Sequence, residues 1–128
     1  MKGIPLIIGN GVDLIEISRI VKAIKNPHFC ERVFTKAEIR ESKMLGHRLA
    51  GFFAAKEAIL KAMGTGLSIF SWQEIEVRHD PKGAPFLELT GKVRLFLLEN
   101  QVSRVHLSIS HCKEYAVAQV ILEAGDER

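Results

Sequence analysis

The sequence predicts an α+β fold: a largely antiparallel sheet packed against helices, one of them long and central. Two observations lead there. Apolar residues recur at helical spacing through the first half, as far as Met63, and from Trp72 onward apolar and polar residues alternate instead. Glycines and prolines fall singly between these segments, with no repeat, low-complexity tract or linker. At 128 residues the expectation is one domain over 1–128, because two full cores need more chain.

The elements follow in order. Ile4 to Ile8 reads as a buried strand running into Gly9-Asn10-Gly11. Ile17, Ile20, Val21 and Ile24 place a helix over Ile15 to Lys25, with Asp13 at its start and Asn26-Pro27 as its stop. Thr35-Lys36-Ala37-Glu38 fits a capping box, so a second helix begins after Phe34. The longest helical pattern runs from about His47 to Met63, and Gly64 is the residue expected just past its end. Trp72 to His79 is a strand with Ile75 and Val77 on one face and Glu74, Glu76 and Arg78 on the other. Asp80-Pro81-Lys82-Gly83 turns it back into Phe86 to Leu89. Lys92 to Gln101 is a short helix. Val105, Leu107 and Ile109 alternate with His106, Ser108 and Ser110 in a strand, and after His111 to Glu114 comes a last strand, Tyr115 to Leu122.

Composition narrows the function classes. With 47% apolar and 26% charged residues, disorder and collagen-like repetition are excluded. The N-terminal apolar run is far too short to span a bilayer and lacks a cleavage-type flank, so the expectation is a cytoplasmic protein with no membrane partner. Cys30 and Cys112 have no metal spacing and read as reduced, partly buried thiols. A net charge of +3 is too small to imply a polyanion. One tyrosine and one tryptophan offer little stacking surface, and no reader motif is present, which argues against nucleic acid.

Four groups of residues carry possible chemistry. On the long helix Ala50, Ala54, Glu57, Lys61 and Gly64 share a stripe bordered by Leu49, Phe53 and Leu60. Glu57 thus sits at the edge of an apolar face and needs a partner, either Lys61 one turn on or a metal. Asp13, after Gly9-Asn10-Gly11, is either a helix-start aspartate facing the dipole or, with Glu57, one of two hard oxygen ligands. Two carboxylates with few other ligands suit Mg²⁺, which keeps waters and is completed by substrate phosphates. Ser108-Ile109-Ser110-His111 closes a strand. It reads as a polar face with a surface histidine, since neighbours on a strand point oppositely and disfavour a Ser-His nucleophile. Arg19, Lys22 and Lys25 form a basic row that is either a solvated face or a dock for an acidic partner.

With those residues in view the chain resembles the bacterial holo-[acyl-carrier-protein] synthases, short 4′-phosphopantetheinyl transferases, over nearly its whole length. The resemblance rests on Gly11-Val12-Asp13-Leu14-Ile15-Glu16-Ile17 with Arg19-Ile20, and on Arg32-Val33-Phe34-Thr35 with Glu38. It continues through Ala54-Ala55-Lys56-Glu57-Ala58-Ile59-Leu60-Lys61-Ala62, Gly64-Thr65-Gly66, Gly83 and Pro85, and Leu107-Ser108-Ile109-Ser110-His111 with Ala116 and Ala118. It implies transfer of phosphopantetheine from coenzyme A to a serine of acyl carrier protein, releasing adenosine 3′,5′-bisphosphate. It also implies Mg²⁺ held by Asp13 and Glu57 against the coenzyme A pyrophosphate, with Lys61 beside the phosphates. Coenzyme A contacts are expected at Gly64, Gly66, Gly83, Pro85, Ser110 and His111. A homotrimer with active sites between subunits is implied, the first helix receiving the carrier protein at Arg19, Lys22 and Lys25.

One departure stands out. The family commonly has arginine before the phenylalanine of the long helix, where this chain has Phe52-Phe53. That arginine is expected to touch the 3′-phosphate of coenzyme A. Arg48 one turn earlier, Lys82 and His111 are the candidates to supply the charge instead. Two competing classes share parts of this pattern: a Mg²⁺-dependent hydrolase of another nucleotide-like diphosphate, and a non-catalytic basic interaction module.

Overall fold

Helix α4 (Gly46–Met63) organises the molecule, which the computed structural model describes over residues 4–125. Leu49, Ala50, Ala54, Ala55, Ala58 and Ile59 are wholly enclosed on it. They face Ala116, Ala118, Val120 and Leu122 of β5 (Tyr115–Ala124), all buried as well. Alanines on both surfaces let the helix lie close to the sheet, where each buried methyl or methylene contributes about 0.8 kcal/mol. β5 is the central strand, antiparallel to β1 (Leu6–Glu16) on one side and β4 (Val102–His111) on the other. Helices α1 (Ile17–Ala23), α2 (Pro27–Val33) and α3 (Lys36–Ser42) lead into α4, and a 3₁₀ turn (Trp72–Glu74) follows it. A separate hairpin of β2 (Ile75–His79) and β3 (Pro85–Leu89) comes next, then α5 (Gly91–Glu99). This is the expected α+β arrangement.

Several expectations hold in detail. The Thr35 hydroxyl accepts from the Glu38 N–H while the Glu38 carboxylate accepts from the Thr35 N–H, completing the capping box. Gly64 ends α4 in the left-handed conformation, φ 76°. Ile75 and Val77 are buried, and the Asp80 carboxylate ties the hairpin turn by accepting the N–H groups of Lys82 and Ala84.

Others are corrected. Gly9-Asn10-Gly11 is not a loop; it lies inside β1, and Asp13 pairs with Ala118 in the strand instead of opening a helix. The glycines serve close approach: a Cβ on Gly11 would run into the Ala58 carbonyl of α4, and one on Gly9 into that of Ala62. Gly11→Ala should therefore destabilise the fold by about 2 kcal/mol, the scale of overpacking, readable as a lower urea midpoint. Ile4 to Ile8 is not buried, because β1 is an edge strand whose first residues are uncovered; Leu6 and Ile7 are each 61% exposed. Pro27 not only stops α1 but occupies the first turn of the unforeseen α2, whose Asn26 cap accepts the His28 N–H. Cys112 is exposed, and only Cys30 is half-buried, its thiol against the Ile24 carbonyl.

One polar contact is fully enclosed. The Lys56 ammonium lies 2.7 Å from Glu38 Oε1 and donates to the carbonyls of Val33 (2.8 Å) and Trp72 (3.2 Å). Glu38 Oε2 accepts the Val77 N–H at 2.6 Å. Lys56 thereby uses all three donors, and α4 is tied to the end of α2, the start of α3, the 3₁₀ turn and β2. Burial pushes Glu38 up and Lys56 down from their usual ranges, and each charge offsets the other's displacement.

Candidate active site

Because glycine lets β1 pass closely over α4, Asp13, two residues beyond Gly11, arrives beside the helix's last turns. Lys61 Nζ donates to Asp13 Oδ1 at 2.9 Å and to the Val12 carbonyl at 3.1 Å. The Asp13 side chain is 13% exposed, whereas that of Lys61 is 53% exposed. The lysine therefore reaches across to the strand instead of forming the helical pair with Glu57. Glu57 is held above the ordinary carboxylate range, first by burial and second by the Asp13 charge, with Lys61 pulling the other way. Two carboxylates thus share one electrostatic site with an ammonium at its edge. Among the described residues no three His, Cys, Asp or Glu side chains gather, so a cation held by Asp13 and Glu57 needs water or substrate oxygens to complete its shell. Gly64 and Gly66, both at positive φ, lie just past Lys61, and a Cβ on either would meet nothing within 4 Å.

A second cluster forms at the other end of α4. Arg48, Gly83, Pro85 and His111 line one cavity of about 350 Å³, together with His47 and His79. The His47 and His111 rings lie 4.9 Å apart between centroids, and His79 lies 6.0 Å from Phe52. His79 Nδ1 bonds the Glu41 carboxylate, and Arg48 donates to the Glu41 carbonyl. Lys82 stands exposed in the adjoining turn without lining the cavity. Ser110 is exposed on the sheet face that also carries Val117, its partner in register.

These two clusters face away from each other. Arg48 and Glu57 are nine positions apart on α4, which at 100° per residue is half a turn. The sheet separates them too, since Asp13 is on edge strand β1 and His111 on edge strand β4. A larger cavity of about 640 Å³, among residues such as Ile24, Phe34 and Arg40, touches neither cluster. Arg19, Lys22 and Lys25 are all exposed, opposite the buried Ile20, with Lys25 two residues beyond the end of α1. No helix among the described residues is long and apolar enough to cross a membrane.

Comparison with known proteins decides the family. The model of the 4′-phosphopantetheinyl transferase superfamily matches residues 9–120. The chain belongs to that superfamily. The holo-[acyl-carrier-protein] synthase of Alkaliphilus metalliredigens is 46% identical over 120 residues, 91% of this chain and 98% of that one. That of Caldanaerobacter subterraneus is 42% identical over 120 residues, 91% of this chain and 94% of that one. Among solved structures, the Bacillus anthracis holo-(acyl-carrier-protein) synthase in complex with CoA (3′,5′-ADP) aligns at TM-score 0.77 and 44% identity, over 92% of this chain and 97% of that one. The Helicobacter pylori synthase in complex with coenzyme A aligns at TM-score 0.81 and 33% identity, over 88% and 98%.

Sequence reasoning missed four residues of this transferase that the structure makes prominent. His47 and His79 carry no periodic signal, because their meeting depends on α4 crossing the β2–β3 hairpin. Glu38 was legible as a cap and no more. Lys56, with Phe52, Phe53, Ile59 and Leu60 one turn away on either side, was the one available hint of an enclosed ammonium.

Proposed function

We propose that this chain transfers 4′-phosphopantetheine from coenzyme A to a serine of apo acyl carrier protein, releasing adenosine 3′,5′-bisphosphate, with Mg²⁺ bound at Asp13 and Glu57. The supporting observation is the meeting of Asp13, Glu57 and Lys61 from β1 and α4. The donor set suits Mg²⁺: two hard oxygens, and a Glu57 whose proton affinity is raised by burial and then by its like-charged neighbour Asp13, a repulsion that a divalent cation relieves. When bound, the ion neutralises and orients the pyrophosphate of the donor.

The chain's own residues account for the remainder. Glu57, placed with Asp13 where the serine hydroxyl would approach the donor, takes its proton, directly or through one water. Lys61, half-exposed beside Asp13, stabilises charge developing on the departing bisphosphate. Lys61→Ala should then lower kcat more than it raises the KM for coenzyme A; a change in KM alone would make Lys61 a ground-state contact.

Arg19, Lys22 and Lys25 present an exposed row to an acidic carrier protein. Reversing Arg19 and Lys22 to glutamate should raise the KM for carrier protein several-fold and leave that for coenzyme A unchanged; an unchanged carrier KM would place the docking surface elsewhere. The opposed directions of the two clusters favour a site built from the acid pair of one copy and the histidine-lined cavity of another. Val12 and Leu14, 55% and 65% exposed on the outer sheet face, provide apolar surface for that association, in a homotrimer. Two unpaired cysteines agree with a cytoplasmic setting.

The test is mass spectrometry of apo carrier protein incubated with this chain, coenzyme A and Mg²⁺. A mass gain of one phosphopantetheine arm, lost on chelation, is expected. Coenzyme A consumption independent of carrier protein would favour the hydrolase reading, and no Mg²⁺-dependent coenzyme A binding would favour the interaction module.

A further inference from the structure

Glu57 owes its place to the helix that carries it. Lys61 is bonded to Asp13 and to the Val12 carbonyl, and it acts on Glu57 only through its charge. The separation of the two acids is therefore set by how α4 is turned about its axis relative to β1. One grip on that rotation is the close crossing of β1, where Gly11 lies against the backbone of Ala58 and Ala62. The other is Lys56. At about 100° per residue, Ala58 stands about 200° round the helix from Lys56, and Glu57 stands midway between them. The two grips thus hold α4 from nearly opposite flanks, with Glu57 between. We propose that Lys56 is a positioning residue for the transfer reaction: its enclosed bonds to Glu38 and to the Val33 and Trp72 carbonyls fix the rotation of α4 that sets Glu57 against Asp13. This rests on the transfer reading above and extends it to a buried pair that touches no substrate.

The anchorage is directional. Lys56 Nζ spends its three donors on Glu38 Oε1 (2.7 Å), the Val33 carbonyl (2.8 Å) and the Trp72 carbonyl (3.2 Å). Each acceptor is itself held. Glu38 Oε1 accepts the Thr35 N–H at 2.9 Å, and Oε2 accepts the Val77 N–H at 2.6 Å. Gln73 Nε2 donates to the Glu31 and Phe34 carbonyls at 2.9 and 2.8 Å, joining the 3₁₀ turn to the end of α2. The Phe34 ring, 5.7 Å from the ammonium, covers a further side. The seat is therefore built from the α2–α3 corner, the 3₁₀ turn and β2, none of which carries Asp13. An apolar side chain of similar length would fill the same space, but its many weak contacts change little when a helix rolls, whereas hydrogen bonds weaken steeply once bent. A roll of about 20° carries a carboxylate about 5–6 Å from the helix axis sideways by about 2 Å. Misplacement by about 1 Å already costs about 100-fold in rate.

The test sets Glu38→Gln/Lys56→Met beside Leu97→Ala, a cavity variant buried on α5, which packs on β4, the edge strand opposite β1. Both variants lose stability, and both are measured at a temperature where circular dichroism shows them folded. Calorimetric titration of Mg²⁺ in the presence of coenzyme A should give at least about tenfold weaker binding for the double variant and wild-type binding for Leu97→Ala. Arm transfer by the double variant should show kcat lowered about 100-fold. Its KM for carrier protein should be unchanged, because Arg19 and Lys22 lie on α1, outside the seat. Should the double variant fail to fold, Gln73→Ala opens the seat without touching the buried charges and should weaken Mg²⁺ binding about two- to threefold. Wild-type Mg²⁺ affinity in the folded double variant, or in Gln73→Ala where only that one folds, would overturn the proposal. So would an equal weakening in Leu97→Ala, which would make the effect one of stability alone. A wild type that binds no Mg²⁺ with coenzyme A, or transfers no arm to carrier protein, is a different result, and it would overturn the transfer reading itself.

Discussion

Glu57→Gln is expected to lower kcat/KM for arm transfer by at least about 100-fold, the scale for removing one charge that acts on a transition state. The same variant should fold at least as well as the parent when divalent cations are chelated. The stability outcome follows from the electrostatics of the site. Burial and the Asp13 charge hold Glu57 above the usual carboxylate range, so ionising it in the folded chain is harder than in the unfolded one. Its contribution to stability is therefore complete below the unfolded carboxylate value, about pH 4.3, and is lost as pH rises through the folded value. Glutamine removes that slope along with the proposed ligand and base. Chelated wild type should melt lower at neutral pH than the glutamine variant, and added Mg²⁺ should reverse the order, because only the wild type gains from binding. A glutamine variant with near-normal turnover would exclude Glu57 from the mechanism, and one that melts far below wild type in chelator would contradict the repulsion argument.

Breaking the enclosed pair should be the largest stability effect in the molecule. Lys56→Met leaves the Glu38 carboxylate buried without its ammonium and removes donors from the Val33 and Trp72 carbonyls. Severing one partner of a buried pair costs about 3–5 kcal/mol, a large part of a small protein's stability. Urea unfolding should show that loss as a lower midpoint with an unchanged slope. Adding Glu38→Gln to Lys56→Met should recover part of it: the amide carries no charge and its oxygen can still accept one of the Thr35 and Val77 N–H groups, but not both. If Lys56→Met alone cost under about 1 kcal/mol, the pair would not be the tie between α4 and the α2–α3 corner.

Much of the architecture was readable because its signals are local. The Thr35–Glu38 box, the Gly64 stop and the Ile75/Val77 alternation act over two to four residues, and each folds as its spacing indicates. The acids were readable for a related reason: a glutamate at the edge of an apolar helix face needs a partner wherever the chain goes. What the local pattern left open was which partner. Lys61 stands one turn from Glu57 and still reaches Asp13, because β1 comes within backbone contact of α4 at Gly11. The same glycines read as a turn from sequence, since the need for a missing Cβ is identical in a tight bend and in a close crossing.

By itself, then, the sequence determined the helices and strands with strong periodicity, the capping chemistry, and the presence of two carboxylates and a lysine requiring company. Only the tertiary structure decided that Asp13 sits in a strand, that Lys56 and Glu38 are sealed together, and that the histidine cavity faces away from the acid pair. Those outcomes depend on contacts between residues 18 to 48 or more positions apart, such as Lys56 with Glu38 and Lys61 with Asp13. Periodicity reports which face of an element is buried, whereas the neighbour it meets is set by how the elements cross.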